Sequence, residues 1–156
     1  VPKAPIEDFD PIDWERIMNI NVTGAILCLK YAFPLLKATK GKVVFVNSVA
    51  ARSFSQFSGV QYTISKSALT GLARSLAVEW AEYGILVNSI YPSMTKTPML
   101  EKCVEKTLLK KIEENIPLKR IALQEEIASA IEFLISPNNS YMTGCGLDIN
   151  GGQFFN

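Results

Sequence analysis

Histidine is absent from the 156 residues, which excludes any mechanism built on a histidine general base or a histidine metal ligand. Cysteine is scarce. Cys28, Cys103 and Cys145 are odd in number and widely spaced, so they form neither a metal-binding pattern nor a disulfide framework. No metal site is expected, and a reducing cytoplasm is the default compartment. Neither sign of charge is in excess: 16 Lys and Arg face 15 Asp and Glu, for a formal net charge of +1. Nothing in that balance calls for a nucleic-acid partner. No apolar run approaches the length of a membrane span, and no secretory signal leads the chain, so no membrane partner is expected. An initiating methionine is also missing, Val1 standing first, and translation is expected to begin upstream.

What is present reads as one globular domain over residues 1–156, at 48% hydrophobic and 20% charged residues, long enough to bury a core. The opening "VPKAPIEDFD" is a polar, Pro-rich loop. Apolar residues then recur at helical spacing from Trp14 to Leu36, with Asp13 as the expected N-cap. Asn21, Gly24 and Pro34 predict a kink or loosening within that helix. "GKVVFVN" is a short β-branched run suited to a parallel strand buried on both faces. A polar loop leads to a second long helix over roughly residues 60–82, and "GILVNSIYP" reads as another buried strand. A helix around 99–114, an amphipathic helix from about Gln124, the strand "GLDIN" and a "GG" turn complete the order. Strands alternating with helices long enough to cross over argue for an α/β fold. The expected form is a partial, Rossmann-like, doubly wound parallel sheet of about three strands, flanked by helices on both faces.

In open parallel sheets, ligands bind outside the carboxyl ends of the strands. Asn47-Ser48, "YPSMTKT" and "NGG" fall there, and "YTISK" opens the helix after the first strand. Four residues apart on a helix, Tyr62 and Lys66 share one face, and an ammonium beside a phenol favours the phenolate. A tyrosine so placed can give a proton to a carbonyl oxygen or take one from an alcohol. Ser48 can hold that oxygen by a hydrogen bond. With no histidine, Tyr, Lys and Ser are the acid–base set available. Singly, each has a plain structural reading: a chance Tyr-x-x-x-Lys pair, a loop serine in an ST-turn, a satisfied helical asparagine. Their joint placement at one sheet edge carries more weight than any one of them.

From residue 11 onward the chain resembles the short-chain dehydrogenases/reductases. "DWERIMNINVTG" is similar to that family's Asn helix, and "GKVVFVNSVA" to its catalytic-serine strand. "YTISKSALTGLARSLAVEWAEYGILVNSIYP" resembles its Tyr-x-x-x-Lys helix and following strand, and "QEEIASAIEFLISPNNSYMTGCGLDINGG" its last helix and strand. The resemblance implies the C-terminal, catalytic portion of an NAD(P)-binding Rossmann-fold domain, without the Gly-rich phosphate loop. Tyr62 would be the catalytic acid/base, and Lys66 would tune it and bind the nicotinamide ribose. Ser48 would polarise the substrate carbonyl, and Asn21 would support a water relay to Lys66. Pro92, Ser93, Thr95 and Thr97, with Tyr62 and Lys66, would line NAD or NADP. Ser93 stands where the family usually has glycine, which restricts the backbone, and Thr95 where Val or Ile is usual. The implied activity is hydride transfer between nicotinamide and a small-molecule carbonyl or alcohol. A homo-oligomer through helices 12–37 and 60–82 is also implied, with one edge of "VVFVN" left bare. The alternative is a truncated, catalytically inert module that serves in oligomerisation or partner binding.

Overall fold

The computed structural model describes residues 3, 5–55, 57–98, 100 and 104–155, with the backbone alone of Lys106. Three strands, β1 (Lys42–Val46), β2 (Leu86–Pro92) and β3 (Gly146–Ile149), form a parallel sheet in the order β1-β2-β3. Val43 sits opposite Val87, and Ile90 opposite Leu147. The central strand runs buried from Val87 to Tyr91, as a parallel strand covered on both faces must. Burying Val87 and Ile90 completely stabilises the sheet by about 1.5–3 kcal/mol per side chain.

One helical stretch runs from Pro11 to Thr39 as α1 (Pro11–Met18), a π segment (Asn19–Thr23) and α2 (Gly24–Thr39). Its N-cap is Asp10, whose carboxylate accepts from the Ile12 amide at 2.9 Å, with Pro11 in the first turn. Asp13 lies inside the helix instead, because Pro11 has no amide to offer and is best placed at the helix start. The expected loosening falls at Asn21, inside the π segment, whereas Pro34 stays within α2. At 29 residues this stretch is long and apolar enough in composition to cross a membrane, which the reading of uninterrupted apolar runs had missed. Its inner side, however, packs Ala25, Leu29, Phe33 and Leu36 on the protein core. Phe33 lies 5.2 Å from the Trp80 ring and 5.4 Å from that of Tyr83.

Helix α3 (Val60–Glu79) buries Leu69, Ala73, Leu76 and Ala77 against Phe45, Ile85 and Val87. Those positions recur at helical spacing and define one face. On the opposite face of the sheet lies α5 (Gln124–Ile135), which ends where the Lys42 ammonium donates to the carbonyls of Ser136 and Asn139. Between β2 and α5, helix α4 covers Lys106–Asn115, matching the later part of the helix expected around 99–114; Pro98 and Leu100 are helical too, Val104 and Glu105 are not, and Met99 and residues 101–103 lie outside the described residues. Its Ile112 joins Ile116 and Ile121 in a second core over the loop that follows β2.

Candidate active site

β1 ends at Val46, and the chain turns immediately into a short 3-10 segment, Val49–Ala51. Ser48 caps that turn, its hydroxyl oxygen accepting from the Ala50 amide at 3.1 Å. Asn47 is buried and donates its side-chain amide to the Thr70 hydroxyl at 2.9 Å.

Tyr62 lies in the first turn of α3, behind Gly59, whose extended backbone starts the helix. The Lys66 ammonium is 5.7 Å from the Tyr62 ring centre and donates to the Val46 carbonyl at 3.0 Å. Burial lowers the Lys66 pKa from its ordinary value, because removing an ammonium from water disfavours its charged form. The spacing seen in "YTISK" thus brings both groups to the carboxyl end of β1.

Asn21 comes to the same helix by a different route. Its side-chain amide donates to the Ser65 hydroxyl at 2.9 Å, and that hydroxyl donates to the Tyr62 carbonyl at 2.8 Å. The π segment positions Asn21 for this contact. Sequence reasoning missed Ser65, although a serine three residues after a tyrosine in a helix can bond back to its carbonyl.

The residues after β2 close the other side. The Ser93 amide donates to the Ile149 carbonyl at 3.1 Å, and the positive-φ non-glycines among the described residues are Lys40 and Lys119. Serine at 93 is therefore held without a left-handed backbone, so glycine's freedom is not needed there. Thr95 bridges to Ala122 and turns its hydroxyl to the Ser93 carbonyl at 3.2 Å. The Thr97 hydroxyl accepts from the Leu100 amide. Ser93 borders the cleft and Pro92 precedes it at the end of β2, whereas Thr95 and Thr97 use their hydroxyls on the local backbone.

Ser48, Tyr62 and Ser93 open onto a common cleft of about 280 Å³. Much of its remaining wall is apolar and aromatic, including Phe54, Phe57, Met94, Ile112 and Phe154, and is interspersed with Ser53, Ser55, Ser58 and Gln153. Beside it, Arg52 lies 3.8 Å over the Tyr91 ring and pairs with Asp148 at 3.3 Å. The Tyr91 hydroxyl reaches Thr70 at 3.2 Å. Neither Arg52 nor Tyr91 was legible as a site neighbour, since their contact, together with Asp148, joins three separate segments.

A parallel sheet with a tyrosine, a lysine and a serine gathered at its carboxyl edge places polar groups where open α/β sheets bind their ligands. The family described as Enoyl-(Acyl carrier protein) reductase matches residues 1–153. Short-chain dehydrogenase RED2 of Pyricularia oryzae is 36% identical, over 94% of this chain and 59% of its own length. An uncharacterized oxidoreductase of Thermotoga maritima is 38% identical, over 98% and 63%. Among solved structures, ElxO with NADP bound superposes with a TM-score of 0.90 at 28% identity, covering 98% of this chain and 62% of that one. A 3-oxoacyl-[acyl-carrier protein] reductase of Brucella melitensis with bound NAD gives 0.90 at 26%, covering 99% and 57%. The chain belongs to the short-chain dehydrogenase/reductase family. It spans about half to three-fifths of the length of the curated relatives it matches.

Proposed function

We propose that this chain carries the proton-transfer half of an NAD(P)-dependent carbonyl/alcohol oxidoreductase, with Tyr62 as general acid and base. The supporting observation is that Tyr62 and Ser48 open onto one cleft while Lys66 stands on the Tyr62 face of α3. As a carbonyl is reduced, the Tyr62 hydroxyl gives its proton to the oxygen; in the reverse direction it takes that proton back. Ser48 donates a hydrogen bond to the same oxygen and fixes it against the phenol. Lys66 supplies positive charge beside the phenol, and Asn21 steadies the first turn of α3 through Ser65.

The residues present suit the nicotinamide end of a dinucleotide. Lys66 would bind ribose hydroxyls, and Tyr62, Pro92 and Ser93 would border the ring, with Thr95 and Thr97 on the adjoining loop. When bound, the nicotinamide supplies or accepts the hydride. No glycine-rich strand–turn–helix of the kind that cradles a pyrophosphate is found among the described residues. The free thiols of Cys28 and Cys145 suit a reducing cytoplasm.

The test is Tyr62→Phe in the full-length protein. Turnover should fall by at least about 10²-fold, while NAD(P)H affinity, read by fluorescence titration, stays within about twofold. Equal turnover in that variant would overturn the assignment.

A second reading, an inert module acting through oligomerisation or partner binding, draws on the exposed apolar side of the first helical stretch. Ile26, Leu27, Tyr31 and Leu35 lie there in water, with Val60 and Ile64 exposed on α3. Such a face suits a second copy, and the same contact would serve the enzyme as a homo-oligomer. Sedimentation of the full-length protein, alone and as Leu35→Glu, separates a dimer from a monomer.

A further inference from the structure

We infer that the Ser48–Tyr62 cleft takes an uncharged ketone or secondary alcohol with an apolar or aromatic body, and rejects the corresponding carboxylates. This rests on the reading of Tyr62 as the group that faces the reacting oxygen. Among the described residues that line the cleft, none carries a charge. Two cations beside the cleft already have partners: Arg52 pairs with Asp148 and stacks on the Tyr91 ring, and Lys66 donates to the Val46 carbonyl. A carboxylate entering this space would lose its water without gaining a partner cation, which is costly.

What the cleft offers instead is neutral. Five serine side chains line it, and a hydroxyl can donate to a carbonyl or accept from an alcohol. The aromatic side chains of Phe54, Phe57 and Phe154 offer flat apolar surface, and Met94 is adaptable in shape. At about 280 Å³ the space is at the small end of ligand pockets, which suits a compact molecule. The neutral lining then acts as a selectivity filter, by leaving an anion unpaired and so weakening its binding relative to a neutral analogue.

A matched pair of probes tests this: 4-phenyl-2-butanone and 4-(3-oxobutyl)benzoate, which differ by one carboxylate. Their affinities for the full-length protein are measured by titration calorimetry in the presence of NADP. The neutral ketone is expected to bind at least about tenfold more tightly. Phe57→Arg and Phe54→Arg, at positions 41% and 63% exposed, place a cation at the rim without disturbing the core. Each should tighten carboxylate binding about tenfold. Equal or tighter carboxylate binding by the unmodified protein overturns the inference. So does failure of both probes to bind, or the absence of any gain in both arginine variants. NADPH oxidation is followed separately. Tight binding of the neutral ketone without turnover removes the catalytic reading and leaves the cleft's preference standing, whereas preferential turnover of the carboxylate removes the preference alone.

Discussion

The Lys66 ammonium donates to the carbonyl of Val46, on the side of β1 that faces away from β2. The register requires this orientation. The Asn47 amide bonds the Ile90 carbonyl and the Gly41 carbonyl accepts from Leu86, so the odd-numbered residues of β1 pair with β2 and Val46 faces outward. Lysine thus occupies a backbone acceptor on an open strand edge, as charged side chains on exposed edges often do.

Burial lowers the Lys66 pKa below 10.5, and this sets a pH dependence of stability. The unfolded chain then binds more protons at this residue than the folded one, between the folded pKa and 10.5. Stability therefore rises as pH climbs through that window. Lys66→Met should flatten the rise. Urea midpoints of both proteins at pH 7 and pH 10 measure it, and a rise of equal size in the variant would remove Lys66 as the cause.

Thr70 joins three elements at one hydroxyl. It accepts from Asn47 at the end of β1 and from Tyr91 on β2, and it contacts the Lys66 carbonyl one turn back on α3. Thr70→Val keeps the shape and strands both donors. Among the described residues the Asn47 side-chain oxygen has no partner, so that side chain would lose the hydrogen bond that holds it to α3. The expected cost is about 1–3 kcal/mol, with Thr70→Ser close to the original. Chemical denaturation of the two variants decides it.

The strands, the parallel sheet and the two long helices were legible because each follows one hydrophobic period: continuous for β2, helical for α3. The Tyr62–Lys66 pair was legible for the same reason, since four residues make one helical turn. Asp10 was missed as the N-cap because Asp13 has the same chemistry, and the position of Pro11 alone separates them. The membrane-length helix at 11–39 escaped notice because Asn19, Asn21, Lys30 and Pro34 break up its apolar run while leaving its average high. Thr70, Tyr91 and Arg52 stayed hidden for another reason: the contacts that bring them to the site span 21 to 96 residues, as does the 44-residue bond from Asn21 to Ser65, and no local pattern records such contacts.

Arg120 and Glu126 form a paired contact at the entrance to α5, two bonds of 2.7 Å, while the Glu126 carboxylate also accepts from the Leu123 amide at 2.8 Å. The Arg120 hydrogen bonds first, then that amide, bring the Glu126 pKa down to about 2. A carboxyl lowered on folding contributes stability that is complete above its unfolded value near 4.5 and is lost as pH falls through about 2. Glu126→Gln should therefore melt below the original protein at pH 7, and the gap should close as pH is lowered toward 2. A gap unchanged between pH 7 and pH 2.5 would show that the pair is held by packing rather than by charge.

Gly146, opposite Ser89 at the start of β3, leaves room for the Arg52–Tyr91 stack. A methyl group there would fall well inside van der Waals contact of the Tyr91 ring and the Arg52 guanidinium. The guanidinium can swing aside, but the ring is 3% exposed and its hydroxyl is tied to Thr70. Gly146→Ala should therefore cost about 1–3 kcal/mol, as overpacking does. Because the Thr70 bond is what holds the ring, releasing it first should soften the clash. The Gly146→Ala/Thr70→Val double variant should then be more stable than the sum of the single losses, by about 0.5 kcal/mol or more. Strict additivity in denaturant titrations would mean that the ring is held by its apolar neighbours and not by its hydroxyl.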